Sequence, residues 1–284
     1  MIPASFEYVR PDSVDDAVSA LAAGGEDAKV IAGGQSLIPL LRLRLAYPSV
    51  LVDLGGVGEL QGVRDDGDAI VIGAMTTHDE VVKNALVAAH APLLAAATAT
   101  VADPAVRHRG TFGGALAHAD PAGDLPAVAL ASGASMVVAG AGGRRTVDAA
   151  DFFVDYLQTA VGPAEVLVEV RVPKQDGWGY HYEKFHRTAQ AWALVGVATL
   201  VRRSNGSIAE ARVALTNMGS TPVRAAATES ALTGADASAG TVAAAAEHAA
   251  DGANPTSDLH AGADYRRHLA RVLTRRAVSA AAGL

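Results

Sequence analysis

The 284-residue sequence contains no cysteine. Disulfides, thiolate-bound zinc and ordinary iron–sulfur clusters are therefore excluded from this chain. A redox role would need a bound organic cofactor, or metals held by another chain. Positive charge is also scarce: 23 Lys and Arg against 30 Asp and Glu leave a formal net charge of -7. The densest basic stretches, around Arg42 and Arg44, Arg202-Arg203, Arg266-Arg267 and Arg275-Arg276, are short and dispersed. Duplex binding needs a concentrated basic face, so no nucleic-acid partner is expected. No apolar run reaches the length of a membrane span. Even residues 127–139 are broken by Ser132, Gly133 and Ser135. The first six residues lack the basic and apolar regions of a signal peptide. These absences predict a soluble, cytoplasmic protein.

What is present is a large apolar fraction. Half the residues are hydrophobic, enough for a sizeable core. At roughly 100–200 residues per domain, the length predicts two domains, the first subdivided. Ser13, followed by Asp15 and Asp16, reads as a helix start, and Gly24-Gly25 as its end. Strands are expected at 29–32 and 50–53, with a helix carrying Leu37, Leu40 and Leu41 between them. That order describes a β-α-β-α-β subdomain over 1–55. In a second subdomain, 56–176, strands are expected at 69–73, 136–139 and 166–172. Thr77 to Glu80 opens a helix there as a capping box, and 92–102 reads as a buried helix. Residues 111–126 hold too many glycines and prolines for one long element. The polar turn at 173–177 marks the boundary to a third unit, 177–284. Its strands, 180–185, 194–203 and 208–215, precede helices at 223–232, 241–250 and 265–281. Asn205-Gly206 forms the hairpin turn between two of these strands. Strands first and helices after is an α+β arrangement.

Two glycine pairs are the strongest chemical signal. One lies in Ala32-Gly33-Gly34-Gln35-Ser36, before Leu37. The other lies in Gly110-Thr111-Phe112-Gly113-Gly114-Ala115. Glycine lets backbone approach a ligand closely and turn amide hydrogens toward one point, and such loops bind phosphate. Taken singly, each pair reads more readily as an ordinary turn than as a phosphate loop; the two together shift the balance toward a ligand. Standard nucleotide fingerprints are missing: Gly140-Ala141-Gly142-Gly143-Arg144-Arg145 has arginine where a third glycine belongs and reads as a hairpin loop. No Gly-Lys-Ser/Thr phosphate loop and no His-Glu-x-x-His metal motif occurs. His118, Asp120 and Asp124 are close in sequence, but Asp in a glycine-rich loop more often serves caps and turns, so no metal is predicted. Lys184 reads as a solvated strand lysine and Trp192 as a core residue.

Larger motifs built on these residues are familiar. Ala32 to Ser36 with Leu37-Ile38-Pro39, then Thr111 to Gly114 with Asp120-Pro121-Ala122-Gly123-Asp124-Leu125-Pro126, resemble the two FAD signatures of molybdenum hydroxylase medium subunits, the xanthine dehydrogenase family. Ile72 to Thr77, Ala102-Asp103-Pro104, Leu215-Thr216-Asn217 and the pattern from Tyr265 to Ala277 extend the likeness over nearly the whole chain, most closely to the aerobic carbon monoxide dehydrogenase branch. Gln35 stands where that branch commonly has histidine. Ala115 stands where a polar residue is frequent, and Ala191 precedes Trp192 where Asp is common.

The resemblance implies a vanillyl-alcohol-oxidase-type FAD-binding domain of two α/β subdomains plus a C-terminal α+β domain. It implies that 32–36 and 111–115 hold the FAD diphosphate. It puts Asp124 near the ribose or adenine, Thr77 near the flavin pocket, and Lys184 and Trp192 beside the isoalloxazine ring, with Leu37, Ala102, Gly110 and Asp120 also at the cofactor. No catalytic base is expected here. Implied partners are a large subunit with molybdopterin cytosine dinucleotide and a small subunit with two 2Fe–2S clusters, in a dimer of heterotrimers that passes electrons to a quinone or cytochrome. The complex would lie in the cytoplasm or against the inner face of its membrane. Its substrate would be carbon monoxide, with an N-heteroaromatic, an aldehyde or an aryl-CoA as alternatives. A flavin-free scaffold and a stand-alone FAD oxidoreductase are the competing readings.

Overall fold

The Ser13 hydroxyl accepts the Asp16 amide at 3.1 Å and starts the helix Val14–Gly24. Val14, Ala17, Val18 and Leu21 recur at helical spacing and are buried. They cover a three-stranded parallel sheet of Glu7–Val9, Val50–Asp53 and Ala28–Ile31, with Val50–Asp53 central. The structure, a computed structural model, describes residues 2–284; Met1, where the signal-peptide reading begins, lies outside them. Glu7–Val9 is the first strand of the expected β-α-β-α-β order, which the sequence did not locate. It is a mostly exposed edge strand without apolar alternation, so only its pairing with Val50–Asp53 makes it a strand.

The next sheet is five-stranded and antiparallel, ordered Val63–Asp66, Ala69–Gly73, Val166–Pro173, Ser135–Gly140, Gly143–Asp148. Every residue of Ala69–Gly73 is buried. The breaker-rich stretch resolves into two helices, Phe112–His118 and Asp124–Ser132. Ala119 in the left-handed region (φ +51) ends the first. Each residue of Asp124–Ser132 is buried, which requires apolar neighbours on all sides. The helix packs on the strands Val195–Ser204 and Ser207–Thr216 of the C-terminal unit, and the core continues across that junction through Tyr182, Ala198, Leu200 and Ala214.

The C-terminal unit is a four-stranded antiparallel sheet, Gly179–Phe185, Val195–Ser204, Ser207–Thr216 and Val223–Arg224, under the long helix Ala263–Ala282. Asn205 and Gly206 both take positive φ, +50 and +83, as a type I′ turn requires. The helix expected at 223–232 begins only at Ala226. Val223 and Arg224 instead pair with Leu215 and Ala214, and this sheet pairing overrides local helical tendency. Likewise the helix expected at 92–102 is Pro92–Ala99, and that at 241–250 is Ala239–Ala246 with Ser238 as its cap.

Candidate functional site

The chain leaves the partly buried strand Ala28–Ile31 through 32–36 and enters the short helix Leu37–Arg42. Gly34 sits at φ +74, where side chains are strained. Gly33 faces the second glycine loop. A Cβ there would lie 2.0 Å from the Arg109 carbonyl oxygen and 2.8 Å from Gly110 Cα. On the opposing side, a Cβ on Gly113 would lie 2.5 Å from Ala74 Cβ, and one on Gly114 2.6 Å from Thr111 Oγ1. The two glycine loops, far apart in sequence, are therefore in backbone contact that a methyl group would prevent. Beside them opens a cleft of about 820 Å³. All the site residues expected from sequence line it except Thr77.

The loops are not equivalent. Among the described residues, the amides of Gly34, Gln35 and Ser36 donate to nothing within the chain. By contrast, the Gly113 amide donates to Ala74 O at 2.9 Å and the Gly114 amide to Thr111 Oγ1 at 3.2 Å. The two loops therefore differ in the donors they can offer an anionic ligand. The second glycine pair occupies the first turn of a capped helix, so its amides are already engaged. Its glycines let the start of that helix pack closely on Ala74 and the Thr111 hydroxyl, while the first loop provides free donors.

At the other side of the cleft, the strand Gly179–Phe185 brings Lys184 to Asp124, the first residue of the helix Asp124–Ser132. Lys184 Nζ donates to Asp124 Oδ2 at 2.8 Å and to Thr100 O at 3.1 Å. Tyr182 donates its hydroxyl to Asp124 Oδ1 at 2.6 Å. The paired side chains are only 5% and 4% exposed. Lys184 is thus no solvated surface residue. Burial pushes the Asp124 carboxyl above its usual range, against the opposing pull of Lys184 and of the Tyr182 hydroxyl. Burial and the Asp124 charge push the Tyr182 phenol well up. Asp124 and Lys184 share one hydrogen bond, so they cannot address opposite ends of a dinucleotide. The placement of Asp124 at the ribose or adenine and Lys184 at the ring does not hold for both.

Thr77 is elsewhere. Its hydroxyl accepts the Glu80 amide at 3.2 Å and donates to Glu80 Oε2 at 2.8 Å, while its own amide donates to that carboxylate at 2.8 Å. It is a helix cap, not a cleft-lining residue. Thr77→Ala should lower stability by about 1 kcal/mol in denaturant titrations and leave bound flavin unchanged. The neighbouring His78 does line the cleft and was missed, because its burial is invisible locally. It is 4% exposed, and its Nδ1 is buried without a partner. Burial, helped by the Arg107 charge, lowers its pKa from 6.5 to about 4, so the imidazole is neutral. Between those values the unfolded chain holds a proton that the folded chain refuses, so stability is lost as pH falls through this window. In urea titrations at pH about 7.5 and about 4.5, the wild type should lose roughly 2–3 kcal/mol more than His78→Gln.

Trp192 lines the cleft but remains 57% exposed, so it is not the core residue its composition implied. Asp120 makes an Asx turn, its Oδ1 accepting the Ala122 amide at 2.9 Å. His118 Nε2 is 3.9 Å from its other carboxylate oxygen. Residues 4–175 match the family model described as FAD binding domain in molybdopterin dehydrogenase, and residues 180–281 match the CO dehydrogenase flavoprotein C-terminal domain. The chain belongs to the FAD-binding flavoprotein family of the molybdopterin dehydrogenases. Members of that family are similar to it over nearly their whole length. The carbon monoxide dehydrogenase medium chain of Hydrogenophaga pseudoflava is 43% identical, over 99% of this chain and 98% of that one. The 6-hydroxypseudooxynicotine dehydrogenase complex subunit alpha of Paenarthrobacter nicotinovorans is 38% identical, over 99% and 96%. A structure of the Hydrogenophaga pseudoflava carbon monoxide dehydrogenase lacking the Mo-pyranopterin moiety superposes with a TM-score of 0.97 at 44% identity, covering 99% and 98% of the two chains.

Proposed function

We propose that this chain holds FAD in the cleft and serves as the electron-transfer medium subunit of a molybdenum hydroxylase, with carbon monoxide as the substrate of the complex. The observation that carries the reading is the contact of the two glycine loops at the cleft wall, where Gly33 leaves no space for a side chain against Arg109 O. The residues present fit the cofactor. Free amides at 34–36 supply donors for a diphosphate. Gly113 and Gly114 let the second loop pack on Ala74 and Thr111 at the cleft wall beside it. Lys184, Asp124 and Trp192 furnish a charged pair and a flat ring at one side for the isoalloxazine. We therefore assign Asp124 with Lys184 to the ring end. When bound, FAD supplies the redox chemistry. The chain's own residues bind it, orient it and set the charge around it, and none is assigned as a general base.

Likeness to a carbon monoxide dehydrogenase medium chain at 43% identity favours that branch over the nicotine-type relative at 38%. In the proposed complex a large chain carries molybdopterin cytosine dinucleotide and a small chain two 2Fe–2S clusters, with a quinone or cytochrome beyond. A dimer of heterotrimers in the cytoplasm is the proposed assembly; among the described residues no helix is long and apolar enough to cross a membrane. We read the chain as 1–55, 56–176 and 177–284, supported by the gap between the matched regions at 175 and 180. Co-purification with partner chains, a yellow colour, and release of one FAD per chain on denaturation would bear the reading out. A colourless complex would favour the scaffold alternative, and a yellow chain with no partners the stand-alone oxidoreductase. Turnover of carbon monoxide, tested beside an N-heteroaromatic and an aldehyde, decides the substrate.

A further inference from the structure

We infer that Asn217 is a positioning residue that holds the segment bearing Trp192 in place over the FAD cleft, an inference that rests on the FAD reading above. Asn217 follows the strand Ser207–Thr216 with φ +63, a left-handed conformation that asparagine tolerates better than most side chains. Its two donors point to two different loops. The backbone N–H donates to Pro121 O at 2.8 Å, and the side-chain Nδ2 donates to Ala193 O, also at 2.8 Å. Asp120 and Gly123 of the first loop line the cleft, as do Gln190, Ala191 and Trp192 of the second. One residue outside the cleft lining thus ties together two of its walls.

The asymmetry of the second loop shows why that tie decides where the indole stands. Residues 186–190 are exposed, Gln190 sits at φ +68, and the Ala191 amide reaches only Thr188 O, at 3.2 Å. On the other side of Trp192 the anchoring is dense. Ala193 O takes the Asn217 amide, the Leu194 N–H donates to Phe185 O at 2.8 Å, and the buried Arg266 guanidinium donates to Leu194 O. The carbonyl held by Asn217 is the first anchor after Trp192. Without it, the ring would gain freedom that ligand binding must then remove, and affinity falls accordingly.

Asn217→Gly separates this role from a general one, because glycine keeps the positive φ and the backbone donor to Pro121 while deleting Nδ2. Asn217→Asp is the sharper partner. It has nearly the same shape, but a carboxylate cannot donate to Ala193 O. In the assembled complex, stripped of flavin and titrated with FAD, both variants should raise the FAD dissociation constant about tenfold, the scale of one lost hydrogen bond. Both should also brighten bound-flavin fluorescence, since a displaced indole no longer quenches it. In a Trp192→Ala background, Asn217→Gly should add nothing to either readout, because the residue acts through Trp192. An unchanged dissociation constant and fluorescence in Asn217→Gly would overturn the assignment. So would wild-type behaviour of Asn217→Asp, or a full additional loss in the Trp192→Ala background. If Gly33→Ala weakens FAD binding while Asn217→Gly does not, only the positioning role fails. If Gly33→Ala and Trp192→Ala also bind FAD normally, the cleft assignment fails with it.

Discussion

Gly33→Ala is expected to reduce FAD affinity by at least about a hundredfold, near 3 kcal/mol. The added Cβ would stand 2.0 Å from Arg109 O, and the atom it meets belongs to the backbone. No side-chain rotation relieves that contact. The two glycine loops have to separate, and separation moves the free amides at 34–36 away from the wall built by Gly113 and Gly114. The complex should purify with little flavin, read as FAD released on denaturation, while its far-ultraviolet circular dichroism stays close to wild type. Gly142→Ala is the control, because a Cβ there meets nothing within 4 Å. Full FAD occupancy in Gly33→Ala would remove the glycine-loop cradle from the account of this protein.

Lys184→Met should destabilise the folded chain by about 3–5 kcal/mol, the usual cost of leaving one member of a buried ion pair alone. Asp124 would keep the Tyr182 hydroxyl but lose its cation in a site almost closed to water. The pH dependence identifies the cause. Burial already raises the Asp124 carboxyl, and removing Lys184 removes the main opposing influence. An acid whose folded pKa is raised binds protons more readily in the folded state, so its contribution to stability improves as pH falls. The deficit of Lys184→Met should therefore shrink between about pH 7 and about pH 5. The double variant Lys184→Met/Asp124→Asn should recover most of the loss at pH about 7, since no unpaired charge remains. A deficit that is flat with pH and persists in the double variant would mean that lost packing, not the buried charge, is responsible.

The features that could be read from sequence are those whose cause lies within a few residues. The Thr77–Glu80 capping box, the Ser13 cap and the Asn205-Gly206 turn all formed as their local chemistry requires. The glycine loops could be located for the same reason. Their division of labour could not, because the Gly113 amide is taken by Ala74 O, a partner some forty residues away. A partner some forty residues away likewise hides Glu7–Val9, and Val223–Arg224, though its partners are nearer, is also a strand only through its pairing. The depressed pKa of His78 likewise depends on neighbours brought in by folding.

By itself, the sequence determined that no disulfide and no cysteine-ligated cluster can reside in this chain, because it has no cysteine, and where backbone can approach a neighbour closely, because only glycine lacks a Cβ. It also determined the order of the main elements, apart from the strands Glu7–Val9 and Val223–Arg224. Tertiary structure alone decided that the two glycine loops touch, that Asp124 and Lys184 form one buried pair, and that Trp192 stands at the cleft rather than in the core. Those are contacts between segments tens of residues apart, and burial and distance come into being only when the chain closes on itself.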